Sequence, residues 1–412
     1  CPREPQLTDI RSYIVVTASY WGFTLTDGAL RMLVLLYFHT LGYSPLQLAS
    51  LFLLYELMGI ITNLLGGWIG ARVGIKITLF FGLILQIIAL MGLSALDNNW
   101  SELFSLSYVL VLQGLSGVAK DLCKMSSKSA VKIFASKDNP SMLFKLVSVF
   151  TGSKNALKGV GFFLGGLLLA SFGFVYSLWI MAGALGLVSV GCALFFSSSV
   201  VKTNRKAKPS DIFSNSGPIN KLSAARVFLF GARDMWFVVA LPIFLYEQLN
   251  WGFSEVGSFL ALWVIGYGVV QSCVPTFIKS SNDGLSNEVK AAKFWIIVLF
   301  LVTAILALSL NHSFDVSKIV MLGLAAFGLC FAINSSIHSY LILGFTSVDK
   351  VTLSVGFYYS ANAAGRLIGT FLSGITYQLG GLQAALYASA GMLLIAVILT
   401  IIMASSLRRL EG

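Results

Sequence analysis

Charge is scarce in this chain of 412 residues: Asp, Glu, Lys and Arg make up 11% of it, against about 25% in an ordinary soluble domain. So few charges cannot solvate the surface of a globular domain. With hydrophobic residues at 57% and a mean hydropathy of +0.85, lipid is the expected solvent. The cysteines Cys1, Cys123, Cys192, Cys273 and Cys330 are scattered, with no CxxC pair and no accompanying histidine spacing. This pattern excludes a disulfide framework and argues against a Cys/His metal site. No activated nucleophile, metal cluster or cofactor-binding loop can be read in the chain, so neither an enzyme nor a bound cofactor is expected. No soluble segment longer than one central linker is present to relay a signal, which disfavours a non-transporting membrane sensor.

Long apolar runs are abundant instead. A hydrocarbon core of about 30 Å takes about 20 helical residues to cross, and runs of that order cover Ser12–Phe38, Leu46–Gly70, Ile77–Leu96, Leu103–Cys123, Leu146–Ser171, Phe174–Ser197, Ser223–Tyr246, Ser254–Ile278, Ala291–Leu310, Val316–Phe345, Thr352–Gln378 and Leu382–Ser405. They are too long for barrel strands, and lipid-exposed backbone must satisfy its own hydrogen bonds, so each is expected to be a helix. The expected fold is all-α and integral to a membrane, with twelve transmembrane helices in two six-helix bundles. The chain divides into a tail (1–11), an N-terminal bundle (12–197), a linker (198–222) with Gly217, Pro209 and Pro218, a C-terminal bundle (223–405) and a second tail (406–412). The first run is too long for a signal peptide and carries Asp27 and Arg31.

A net charge of +11 would suit nucleic acid, but its placement does not. Lys and Arg gather after every even-numbered run, as at Arg72 and Lys76, Lys124 to Lys145, Lys202 to Lys221, and Arg408 and Arg409. The opposite loops hold Asp97, Glu102, Glu247 and Asp315. The positive-inside rule then puts both termini in the cytoplasm, in a plasma or bacterial inner membrane, with the bilayer and no nucleic acid as partner.

Two internal matches indicate a repeat. Gly42, Tyr43 and Ser44 recur as Gly252, Phe253 and Ser254. Ser153, Asn155, Lys158, Gly161, Phe163 and Gly166 recur, with one residue gapped, as Ser360, Asn362, Arg366, Gly369, Phe371 and Gly374. Such parallel repeats are a transporter feature. Lys158 lies about 18 Å and Arg366 about 21 Å into their helices, near the midplane. A charge there costs about 2.5 to 3.5 kcal/mol on insertion scales, so two at matching points suggest a cavity for something negative. The alternative is a structural ion pair with Glu56.

Other deep charges are Asp27 and Arg31, which at i, i+4 can neutralise one another, Lys154, and the neighbours Arg233 and Asp234. The last two project about 100° apart, so at least one is expected to find a partner on another helix. Lys120, beside Asp121, begins a row of lysines that is either an anion funnel or a snorkelling flank. His338 is expected to be packed or hydrogen-bonded. The glycines at 159, 161, 165 and 166 are expected to serve close helix packing. Arg31, Lys154, Lys158, Arg233 and Arg366 outnumber Asp27, Glu56 and Asp234, so a small polyanion is favoured over a neutral sugar or a cation.

The loop from Gly67 to Lys76 resembles the signature loop of the major facilitator superfamily, with Arg72 in place but Ala71 where an acid is usual. The strings YWGFTLTDGALRMLV (20–34), GVAKDLCKMSSKS (117–129) and TGSKNALKGVGFFLGG (151–166) are similar to the ArsJ-type organoarsenical efflux permeases of that superfamily. The resemblance implies export of 1-arseno-3-phosphoglycerate and arsenate resistance, with glyceraldehyde-3-phosphate dehydrogenase as functional partner; the sequence leaves the oligomeric state open, a monomer being the simplest expectation. Substrate contact is then expected at Arg31, Lys120, Lys154, Asn155, Lys158, Arg233, Asn362 and Arg366. Coupling or gating is expected at Asp27, Glu56, Asp121, Asp234 and Arg72. A phosphate-ester or other organic-anion antiporter is the alternative.

Overall fold

The computed structural model describes residues 7–73, 75–97, 99–134, 140–195, 216–277, 286–310, 315–345 and 351–411. All regular structure among them is helical: α1 (Leu7–Thr40), α2 (Pro45–Ser50), α3 (Leu53–Val73), α4 (Ile75–Ser94), α5 (Glu102–Phe134), α6 (Pro140–Phe195), α7 (Gly217–Phe237), α8 (Ala240–Glu247), α9 (Phe253–Phe277), α10 (Ser286–Ser309), α11 (Val316–Gly344) and α12 (Val351–Glu411).

These helices map onto the apolar runs with instructive differences. α6 and α12 each contain two runs, the helical backbone breaking at Gly173 (φ 72°) in the first and at Gly380 and Gly381 (φ −166° and 62°) in the second. The positive φ at Gly173 and Gly381 suits glycine and lets the chain kink there with no separate loop. Conversely, the second run is divided between α2 and α3, and the seventh between α7 and α8. Among the described residues nine segments are long and apolar enough to cross a membrane, two of them 43 and 51 residues long, which is room for two crossings each. α1, at 34 residues, falls outside the nine, its hydropathy lowered by Asp27 and Arg31.

α7 starts at Gly217, six residues before the apolar run and inside the stretch read as linker. Pro218 sits in its first turn behind Ser216 as N-cap residue. Proline there loses no hydrogen bond and has the right φ, so it begins a helix where the sequence reading took it to mark a connection. At the start of α2, Ser44 and Gln47 form a reciprocal capping box, with the Ser44 N–H donating to Gln47 Oε1 at 2.8 Å.

By contact the described chain forms two compact units. The first comprises 1–37, 61–207 and 253–265, and the second 38–60, 208–252 and 266–412. In the first, Val16, Tyr20 and Phe23 of α1 pack on Leu79 and Leu83 of α4, Ala119 and Cys123 of α5 and Leu185 of α6. In the second, Leu222 of α7 packs with Ala292 of α10, Ile337 and Leu341 of α11, and Tyr358 and Met403 of α12. Large apolar side chains such as Leu187, Leu194, Leu322 and Leu379 are exposed on these helices. That is costly in water and appropriate against lipid.

Within each unit helices meet backbone to backbone at glycines. A Cβ on Gly161 of α6 would lie 2.6 Å from Leu25 O and 3.1 Å from Gly28 Cα of α1, and one on Gly165 would collide with Ala29 O. The other side of the same glycine run faces α9, Gly159 against Ala261 O and Gly166 against Phe253 O. In the second unit Gly365 and Gly369 of α12 abut Val227 O and Gly231 O of α7 in the same manner. Gly365→Val is therefore expected to cost about 1–3 kcal/mol or more through overpacking. Gly391→Ala, with open space around it, should stay within about 0.5 kcal/mol; thermal unfolding of the purified chain in detergent compares the two.

Candidate functional site

The glycine contacts fix where the deep charges stand. In the second unit Arg366 lies three residues before Gly369 on α12, and Asp234 three residues after Gly231 on α7. The long guanidinium spans the crossing, its Nε donating to Asp234 Oδ2 at 3.2 Å while its Nη2 reaches Glu56 Oε1 of α3 at 2.5 Å. Arg233 completes the chain, with Nη2 2.5 Å and Nε 2.7 Å from Asp234 Oδ1. The Cβ vectors of Arg233 and Asp234 diverge as expected, but the arginine stem is long enough to fold back. Its guanidinium also lies 4.9 Å from the Phe230 ring centre. Both carboxylates are fully buried and both arginines nearly so. Two cations and two anions thus form one linear network from three helices, a fully paired arrangement suited to low dielectric.

The first unit builds the same crossing with different charges. Lys158 lies three residues before Gly161 on α6, but three residues after Gly28 on α1 stands Arg31. Arg31 and Asp27 are buried on one face of α1, and Lys154, Asn155 and Lys158 are half-buried on α6. The Lys158 ammonium sits 5.6 Å from the centre of the Phe162 ring. Gly28, between Asp27 and Arg31, is held against the Lys158 carbonyl, where a Cβ would stand 2.7 Å away. At the matching positions the second unit has an arginine and a carboxylate, Arg366 and Asp234, whereas the first has two basic residues, Lys158 and Arg31, with Asp27 four residues before Arg31 on α1 and Lys154 one turn below Lys158.

Further along the first unit, Asp121 of α5 is fully buried and grips Lys124, whose ammonium also donates to Asn63 Oδ1 of α3 at 2.7 Å; Lys120 lies 4.0 Å from the other carboxylate oxygen. Lys120 and Lys124 are thereby held by an acid on their own helix. The side chain of Arg72 lies outside the described residues.

One deep cation went unnoticed in the sequence reading. Arg226 of α7 is 4% exposed, donates from Nε to Asn362 Oδ1 at 3.0 Å and from Nη1 to Ser335 O at 3.2 Å, and lies 3.9 Å from the Phe230 ring centre. Asn362 is thus drawn to Arg226, while Arg366 is drawn to carboxylates. The available signal was its position, eight residues and so about two turns before Asp234 on one helix face. His338, expected to be packed or hydrogen-bonded, is fully buried yet neither ring nitrogen has a hydrogen-bond partner among the described residues.

Residues 13–280 match the family model described as Major Facilitator Superfamily. The chain belongs to the major facilitator superfamily. Its fold recurs in solved transporters of low sequence identity. A bacterial homologue of the iron transporter ferroportin, inward-facing, aligns at TM-score 0.69 and 15% identity over 98% of this chain and 100% of that one. A protein from work on proton-dependent oligopeptide transporters aligns at 0.71 and 14% over 98% and 99%. The human organic anion transporter MFSD10 aligns at 0.68 and 17% over 96% and 100%. No match was found among curated protein sequences. Family and fold together make this an integral, multi-pass membrane protein of a transporter family rather than an enzyme family.

The second unit's network gives a direct test of its pairing. Asp234→Ala strands Arg233 and leaves Arg366 with Glu56 alone, and is expected to destabilise the protein by about 3 kcal/mol or more. Adding Arg233→Ala or Arg366→Ala should return part of that loss, the non-additivity being read from a double-mutant cycle of unfolding midpoints.

Proposed function

We propose that this protein exports a small organic polyanion by alternating access, and that its cargo is the organoarsenical 1-arseno-3-phosphoglycerate, so that its presence makes cells resistant to arsenate. The observation that carries this reading is the contrast in residue type at the two crossings: the second unit pairs Arg366 with Asp234, whereas the corresponding positions of the first unit carry the basic residues Lys158 and Arg31. Two cations in a low-dielectric interior, with one acid on the same helix face, gain most from a ligand bearing more than one negative charge. A molecule with a phosphate at one end and an arsenate ester at the other has that property. The chemistry also gives export a purpose, since the arsenate ester falls apart once outside.

The fold itself does not choose the cargo. The structural neighbours are described as handling iron, oligopeptides and organic anions, so the substrate must be argued from these side chains. The similarity of the strings around Asp27, Lys120 and Lys158 to the organoarsenical permeases supports the specific choice.

Cells carrying this protein together with glyceraldehyde-3-phosphate dehydrogenase are expected to grow at arsenate concentrations that stop cells with the dehydrogenase alone. Lys158→Gln and Arg31→Gln should each abolish that advantage with membrane insertion unchanged. Full resistance in both variants would remove these residues from the mechanism. Accumulation of a plain phosphate ester by vesicles, equal with and without arsenate, would replace the arsenical with a phosphate-ester antiporter.

A further inference from the structure

We propose that Arg226, His338 and Asn362 form a second oxyanion site, contained entirely within the second unit and shaped for a tetrahedral phosphate- or arsenate-type group. Its place in transport rests on the anion-export reading above, but the site is defined independently of it.

Arg226 is the unusual arginine of its unit. Arg233 and Arg366 end on carboxylates, whereas the partners of Arg226 are all neutral: the Asn362 side-chain oxygen, the Ser335 carbonyl, and the rings of Phe230 at 3.9 Å and Tyr358 at 5.0 Å. Among the described residues no carboxylate lies within 4.0 Å of it. These contacts orient the guanidinium without cancelling its charge, and they occupy two of its five N–H groups, leaving donors on the fork that recognises oxyanions bidentately. Burying an uncancelled charge is expensive, which is why such residues tend to mark ligand sites.

The second observation is independent of the arginine. His338 lies three residues beyond Ser335 on α11, on the face that Arg226 reaches, since residues at i and i+3 are neighbours on a helix. It is 0% exposed and neither Nδ1 nor Nε2 has a hydrogen-bond partner among the described residues. Imidazole supplies at least one N–H donor in any protonation state. Asn362, whose Oδ1 is taken by the guanidinium, adds two amide N–H donors next to Arg226. It is only half-buried, as is Gln271 of α9, whose Nε2 donates to the Ser335 hydroxyl at 3.3 Å. The cluster therefore has a buried charged floor and a partly open polar edge. A tetrahedral oxyanion can accept from Arg226, His338 and Asn362 together, whereas a cation would meet an uncancelled guanidinium. From the start of α7, Arg226 lies about 14 Å along the helix, a depth that either a soluble ester or the phosphate of a lipid headgroup can approach.

The test uses the full chain in phosphatidylcholine nanodiscs, following thermal unfolding by tryptophan fluorescence. Inorganic phosphate, inorganic arsenate and 3-phosphoglycerate are titrated against chloride at equal ionic strength. The oxyanions are expected to raise the midpoint where chloride does not. Arg226→Gln should weaken the response at least about tenfold, and Arg226→Lys and His338→Gln should weaken it measurably while keeping the fold should the Gln variant at 226 not assemble. Lys318→Gln, an exposed change far along α11, should respond as wild type. An Arg226-dependent gain that appears only when phosphatidylglycerol is present would assign the oxyanion to a lipid headgroup. Identical titrations for wild type, R226K and H338Q would overturn the site. Arsenate growth assays separate the two readings: R226K and H338Q that bind and protect as wild type leave export standing without this site. An intact Arg226-dependent titration in a protein that gives cells no resistance leaves the site standing without that export.

Discussion

The arrangement of charge depends on two helix pairs touching without side chains between them. Gly161 and Gly165 against α1, and Gly365 and Gly369 against α7, bring backbones so close that any Cβ would collide with a carbonyl oxygen. In lipid there is little hydrophobic force between helices, so close approach of small residues is what binds them and sets their register. A charged residue one turn from such a contact has little freedom over which neighbour it meets. Lys158 and Arg366 occupy that position on their helices, and Arg31 and Asp234 the position one turn the other way.

Given that scaffold, the two units use their charges differently. The second links Glu56, Arg366, Asp234 and Arg233 in alternating order, so the desolvation of each ion is offset by its neighbours. The first ties Lys124 to Asp121 but has basic residues, Lys158 and Arg31, at both of the corresponding positions of its crossing. Corresponding positions of the two units thus carry a carboxylate-linked network in one and two basic residues in the other, and the proposed export of an anion rests on that contrast.

Much of this was legible in the sequence because lipid leaves a chain few options. Apolar runs had to become helices, the glycine run of α6 had to serve packing, and Lys158 and Arg366 stood out against their surroundings. Partners were harder to read. Glu56 was visible as a possible mate for Arg366, but nothing in the sequence said that Asp234 would join the same guanidinium, since that depends on how α7 is rotated. Arg226 escaped notice because it falls near the start of an apolar run, where a basic residue passes for a flank. Its depth became clear only when Ser216 and Pro218 proved to start α7 six residues before that run. His338 could not be assigned without coordinates, because a satisfied and an unsatisfied imidazole look alike in sequence.

The breaks at Gly173 and at Gly380 and Gly381 leave no loop to spare between the apolar stretches they join. A connection of one or two residues has little slack, so the two stretches of α6, and those of α12, can shift past one another only within the freedom of those glycines. Any rearrangement that moves Lys158 or Arg366 by more than that must carry the adjoining stretch along with it.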